Sequence, residues 1–326
     1  MPENEGAARR GNAATARRQC PVEGIGLPHG SFLGKALPIR PCGIYAFIDK
    51  AQVWLKEPLP EADYAWLQSQ CACVSPRWVR ARFGRGYCLR LILTQPSREA
   101  LCFLNTVDGL LLNHAEISLD WTFPDENQLA AAYKFACRFF VKRHHRNQGV
   151  RFKWNTRYTG GRWQHSNVVA IYPDKHCKLT GEVLCLHFDW RIYGAAALKQ
   201  HGINNIGQLA DLNLRAFWKK HLVLAAIDPG DLGRAHFNKL HATKRRKPWI
   251  VQCGRFSFDM DERAAAILWR SSSSRKEGHS EPSTQDLIDA FRFSYPVHRM
   301  LKTFKIDGLL PADSDDDNGP LLHLSS

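Results

Sequence analysis

No apolar run in this 326-residue chain approaches the roughly 20 residues that a membrane-spanning helix needs, and the N-terminus MPENEGAARRGNAATARRQ lacks the apolar core of a secretory signal. Both absences point to the cytoplasm and away from a membrane. A Gly-x-x-x-x-Gly-Lys loop is also missing, which argues against an ATP-driven motor. The ten cysteines are scattered among apolar neighbours, and no second pair at zinc-finger spacing follows Cys71 and Cys73. Reduced thiols packed as small hydrophobes are therefore expected, not a disulfide framework or a structural zinc site. The most telling absence is local: from Asn127 through Pro173 there are nine Lys or Arg and no Asp or Glu. A solvated surface normally mixes signs. With a formal net charge of +14, this imbalance favours a polyanionic partner, nucleic acid in particular.

Composition divides the chain into four parts. Residues 1–40 read as a basic, aperiodic arm carrying Arg9, Arg10, Arg17 and Arg18, and residues 311–326 as an acidic tail. Residues 41–205 alternate strand and helix patterns, including a helix capped by Ser97, an apolar strand at 114–123, a helix after Pro124-Asp125, and strands near 151–159, 166–172 and 183–192. Residues 206–310 turn to helical periodicity, with a last helix predicted from Thr284 to about Phe304. The expected fold class is α+β: antiparallel sheets in two subdomains, helices on one face, and a helical C-terminal region.

Acidic residues are disfavoured on strands unless a cation, base or solvent requires them. Asp49, Glu116, Asp120 and Asp189 occupy such positions. The strand period of two puts Glu116, Ser118 and Asp120 on one face and His187 and Asp189 on one face. Four positions along a flat strand span roughly 13 Å, so Glu116 and Asp120 are not expected to hold one ion together without a bulge. The rings Trp154, Tyr158, Trp163 and Tyr172 interleave with Arg151, Lys153, Arg157 and Arg162, the combination that binds single-stranded DNA. Trp163, in a turn, is the ring expected to be exposed. Lys134, Arg138 and Lys142, four apart on the predicted helix, form a basic stripe. Helix-dipole complementarity alone would account for the stripe, but not for the wider imbalance.

Over residues 43–205 the order of these elements resembles the replication initiation factor family of plasmids and phages. Glu116 and Asp120 match a paired-acid strand, Tyr158, Gly160 and Arg162 a Tyr-x-Gly-x-Arg element, Tyr172 and Lys175 a Tyr-x-x-Lys element, and Asp189 with Arg191 a closing acid strand. The chain departs from that pattern in having Glu at 116 and Asp at 189, where the reverse is expected, and in Pro173 after the tyrosine. The resemblance implies a rolling-circle initiator that nicks an origin and forms a phosphotyrosine link. Its partners would be origin duplex and single-stranded DNA, with a host helicase and a second copy of the chain as further candidates. Tyr172, at a strand end beside Lys175, is the first choice of nucleophile, then Tyr158 and Tyr193. Asp189 with Asp120 or Glu116, and His187, would bind Mg²⁺ or Mn²⁺; a His-hydrophobic-His strand is absent. Lys175, Arg162 and Arg157 would neutralise phosphate, and the stripe 134–142 would position duplex. The alternatives are a non-catalytic DNA-binding protein derived from such an initiator and an RNA-binding module.

Overall fold

The computed structural model describes residues 39–79, 86–142, 150–160, 167–227, 283–291 and 300–312. The first half runs β1 (Gly43–Leu55), α1 (Glu61–Ser69), β2 (Cys71–Trp78), β3 (Leu89–Pro96), α2 (Arg98–Asn105) and β4 (Leu111–Thr122). The second runs α3 (Glu126–Phe139), β5 (Phe140–Val141), β6 (Val150–Lys153), β7 (Thr156–Gly160), β8 (Val168–Lys175) and β9 (Cys185–Tyr193). Next come α4 (Ala195–Gln200), α5 (Ile206–Ala210), α6 (Leu214–His221), β10 (Val223–Ile227), α7 (Thr284–Phe291), β11 (Leu301–Thr303) and a 3₁₀ turn at Asp307–Leu309. Two ladders, β2-β3-β1-β4 and β9-β8-β7-β6, join at β4 and β9 into one eight-stranded antiparallel sheet. The α+β class expected from the sequence is the one the chain adopts.

The sheet has two unlike faces. On one, Ile117, Leu119 and Trp121 of β4 stand beside Phe188, Trp190 and Ile192 of β9, all buried. The α6 side chains Phe217 and Trp218 lie 5.9 Å and 6.3 Å from Trp190. α3 lies against β8 and β9, and Phe140, just past its end, sits 6.3 Å from Phe188. Burying each such side chain contributes roughly 1.5–3 kcal/mol, so this face supplies the stability. The opposite face carries Glu116, Ser118, Asp120, His187 and Asp189, at most 2% exposed. Burial there costs free energy unless each group is paired.

The caps follow the sequence. Ser97 accepts from the Ala100 amide (3.0 Å) to start α2, and Asp125 from the Gln128 amide (2.8 Å) to start α3. Three other expectations are corrected. The predicted strand 151–159 is a hairpin, β6 and β7, because Lys153 pairs with Thr156 and Trp154-Asn155 form a two-residue turn. The apolar run at 223–227 is a strand, which finds backbone partners in both β5 and β11. The end of the last predicted helix is a strand: the helix is described over Thr284–Phe291, residues 292–299 lie outside the described residues, and 301–303 pair with β10.

Candidate active site

Cross-strand register assembles the polar face row by row. Glu116 faces Arg191, which faces Val168; Ser118 faces Asp189, which faces Ala170; Asp120 faces His187, which faces Tyr172. On the other flank of β4, Lys50 faces Glu116, Phe47 faces Ser118 and Tyr45 faces Asp120. A register shift between Ile48 and Lys50 leaves Asp49 as the extra residue of a bulge. The strand period carries Asp49 onto this face after Tyr45 and Phe47, and the bulge brings the adjacent Lys50 onto it as well, opposite Glu116.

Asp49, Glu116 and Asp189 thereby bring carboxylate oxygens within 4.8 Å of one another. Three cations answer them. Lys50 Nζ lies 3.1 Å from both Asp49 and Glu116. Lys178, from the turn joining β8 to β9, donates to Asp49 at 2.7 Å and lies 3.6 Å from Asp189. Arg191 donates through Nε to Glu116 (3.1 Å) and through Nη2 to Asp189 (3.2 Å). Ser118 and Tyr172 each donate a hydroxyl to Asp189 at 2.7 Å. Burial, reinforced by the Asp189 charge, pushes Glu116 up to about 7. Burial acts on Asp189 in the same direction, but Lys178 and Arg191 outweigh it and hold Asp189 well below the usual carboxylate range. A shared proton in this cluster therefore resides on Glu116.

Asp120 and His187 form a separate pair. His187 Nδ1 lies 2.8 Å from Asp120 Oδ1 and Nε2 lies 2.9 Å from the Lys175 carbonyl. The Lys175 carbonyl can only accept, so Nε2 donates to it, and the Asp120 carboxylate beside Nδ1 favours the charged form of the ring. Burial opposes that charge; the hydrogen bond and charge of Asp120 outweigh it and raise the His187 pKa. Of the four metal-ligand candidates, then, Glu116 and Asp189 meet in one cluster while Asp120 and His187 engage each other. Asp49 completes the cluster; its place on a strand marked it in the sequence, but which strand β1 pairs with, and in what register, is set by residues far away in the chain.

The tyrosines separate as well. Tyr172 is 4% exposed, stacks on His187 at 4.7 Å, and has its phenol pushed far above the ordinary range by burial and then by Asp189. Lys175 is exposed, with Nζ 5.6 Å from the Tyr172 ring. Tyr158 is half-buried and pairs with Ala170, which pairs with Asp189, so Tyr158 shares the carboxylate face. Arg151 lies directly opposite Tyr158, and exposed Arg151 and Lys153 flank it on the same side of the hairpin. Tyr193 stacks on His114 at 4.1 Å.

The expected basic stripe is broken. Lys134 and Arg138 are exposed on α3, behind the apolar face and so across the sheet from the carboxylates. Lys142 lies beyond the helix end, 3% exposed, donating to the Asn167 carbonyl with its Nζ 5.4 Å from the Trp190 ring. Arg157 is fully buried on the apolar face, donating to the Phe140 carbonyl at 3.3 Å. Neither Lys142 nor Arg157 reaches the surface that phosphate would touch. Arg162 and Trp163 lie outside the described residues; among the described rings of this region Trp154 is exposed at 88% and Phe152 at 40%. Among the described residues no helix is long and apolar enough to cross a membrane.

No family model matches the chain, and no curated protein matches it. Among solved structures it is similar to a rolling circle replication initiator protein from Geobacillus stearothermophilus, at 11% sequence identity and a TM-score of 0.34, over 56% of this chain and 88% of that one. A likeness of that degree leaves function to be argued from the chemistry of the polar face.

Proposed function

We propose that the chain nicks single-stranded DNA by tyrosine transesterification, as expected of a rolling-circle replication initiator. The observation that carries this reading is the cluster of three carboxylate oxygens within 4.8 Å, built on a sheet face that also presents two tyrosines and a rim of cations. Three hard oxygen donors suit Mg²⁺ or Mn²⁺, and Asp49, Glu116 and Asp189 are the residues that would hold the ion. Lys50, a third exposed at its side chain, is free to swing toward solvent when the ion takes its place. Bound there, the ion would supply Lewis-acid polarisation of the scissile phosphate.

The geometry favours Tyr158 over Tyr172 as nucleophile. Tyr172 is enclosed and commits its hydroxyl hydrogen to Asp189, a bond that orients the carboxylate. Tyr158 lies two strands from Asp189, roughly 10 Å between backbones and within reach of a phosphate held between them. Attack by its phenolate oxygen on phosphorus forms a phosphotyrosine; the P–O bond to the adjoining sugar breaks, and that oxygen leaves as a hydroxyl after taking a proton. Exposed Arg151, Lys153 and Lys175 would hold the phosphate backbone, and Trp154 would stack a base.

The test incubates wild type, Tyr158→Phe and Tyr172→Phe with labelled single-stranded DNA, including sequence flanking the protein's own gene, and Mg²⁺ or Mn²⁺. Denaturing gels read the covalent adduct. Loss of adduct in Tyr158→Phe with retention in Tyr172→Phe is expected; the reverse returns the role to Tyr172. No adduct from wild type, alongside tight salt-dependent binding, would replace nicking with a non-catalytic DNA-binding function.

A further inference from the structure

A second group of ligand atoms lies beside the carboxylate cluster and differs from it in chemistry. Asp120, Cys177 and Cys185 bring an oxygen and two sulfurs within 4.8 Å of one another, all buried. His187 Nδ1 stands 2.8 Å from the Asp120 oxygen and 3.9 Å from Cys185 Sγ. Three features of the fold make this arrangement. Cys185 and His187 are two apart on β9 and share its polar face; Asp120 is the cross-strand partner of His187. Cys177 opens the turn that leads back to β9, with its amide bonded to the Glu182 carbonyl at 2.8 Å. The cysteine spacing hid the site, because the two thiols meet across a turn and the other ligands come from two strands.

We infer that Asp120, Cys177, Cys185 and His187 form a tetrahedral site for a thiophilic divalent cation, Zn²⁺ above all. Two sulfurs with one nitrogen and one oxygen are a donor set that zinc takes and Mg²⁺ does not. An independent feature is the orientation of His187. Its Nε2–H donates to the Lys175 carbonyl at 2.9 Å, the bond that fixes a ligating imidazole with its other nitrogen directed at the metal. Asp120, Cys177 and Cys185 already meet within 4.8 Å, and Zn–S bonds of about 2.3 Å would draw these atoms and His187 Nδ1 inward around the ion. Ligation takes both cysteines as thiolates and Nδ1 without hydrogen, so the entering Zn²⁺ displaces whatever protons these three groups hold. The site would clamp the base of the turn carrying Lys178, the lysine that bridges Asp49 and Asp189. It is distinct from the Asp49–Glu116–Asp189 cluster and does not depend on the nicking reading.

The experiment titrates chelator-stripped, reduced full-length protein with Co²⁺ and then Zn²⁺. One equivalent of Co²⁺ is expected to give a thiolate-to-cobalt charge-transfer band with tetrahedral d–d bands, both abolished by Zn²⁺. Cys177→Ser and Cys185→Ser should each lower the charge-transfer band by about half, one thiolate remaining of two, whereas Glu116→Gln should keep it whole. Because a serine variant could fail to fold, zinc-edge X-ray absorption on the wild type decides independently: two sulfur scatterers at about 2.3 Å are expected. A zinc shell of oxygen and nitrogen alone, no charge transfer in the wild type, or a full band in the Cys177→Ser/Cys185→Ser double variant would overturn the inference.

Discussion

Lys142 is a basic residue placed where a charge is opposed. It sits inside the sheet-helix interface, and burial lowers its pKa to about 7. Its ammonium donates to the Asn167 carbonyl, and Gly160 leaves room for both: a Cβ there would meet the Asn167 carbonyl oxygen at 2.5 Å and Lys142 Nζ at 3.2 Å. An unfolded lysine binds its proton below about 10.5, whereas this one resists until about 7, so across that window the unfolded state holds more protons. Stability therefore rises with pH from 7 toward 10.5. Lys142→Met should flatten that rise by about 1.4 kcal/mol for each unit of displacement, as measured by urea unfolding near neutral pH and near pH 9.5. Identical slopes in the two proteins would mean that the ammonium is solvated.

The β6–β7 hairpin is the element in which strain and exposure coincide. Trp154 occupies the turn at φ 57, a conformation that costs an L residue roughly 1–2 kcal/mol, while its ring is in solvent. Nothing in folding rewards a large ring there. Trp154→Gly is expected to raise thermal stability by about 1 kcal/mol and to weaken binding of a fluorescent single-stranded oligonucleotide by about 1–3 kcal/mol. Opposite signs in the two assays would identify a residue kept for binding; unchanged affinity would remove the hairpin from the DNA surface.

For the whole molecule, the sheet separates two basic regions that the linear sequence merges. Arg151, Lys153 and Lys175 attend the carboxylate face, while Lys134 and Arg138 lie behind the apolar one. Each cation that contacts single-stranded DNA contributes about 0.7 to the slope of log affinity against log salt. Arg151→Ala and Lys153→Ala should each reduce the slope by that amount, and Lys134→Ala should leave it unchanged, in filter-binding or anisotropy titrations. A loss confined to Lys134→Ala would place DNA on the helix side.

What the sequence by itself determined was whatever depends on near neighbours. The period of two put Glu116, Ser118 and Asp120 on one face, the roughly 13 Å between Glu116 and Asp120 separated them into different clusters, and Ser97 and Asp125 started their helices. The turn at Trp154-Asn155 escaped notice because it contains no glycine or proline, and the run at 223–227 looked helical because its strand partners lie far away in the chain. Only the tertiary structure decided that the pairing of β1 with β4 brings Asp49 to Glu116 and a bulge adds Lys50, that Lys142 turns inward past the end of α3, and that Cys177 meets Cys185 and Asp120 beside His187. Those placements follow from cross-strand register and from burial of the two faces, which act between residues distant in sequence and leave no mark on the local pattern.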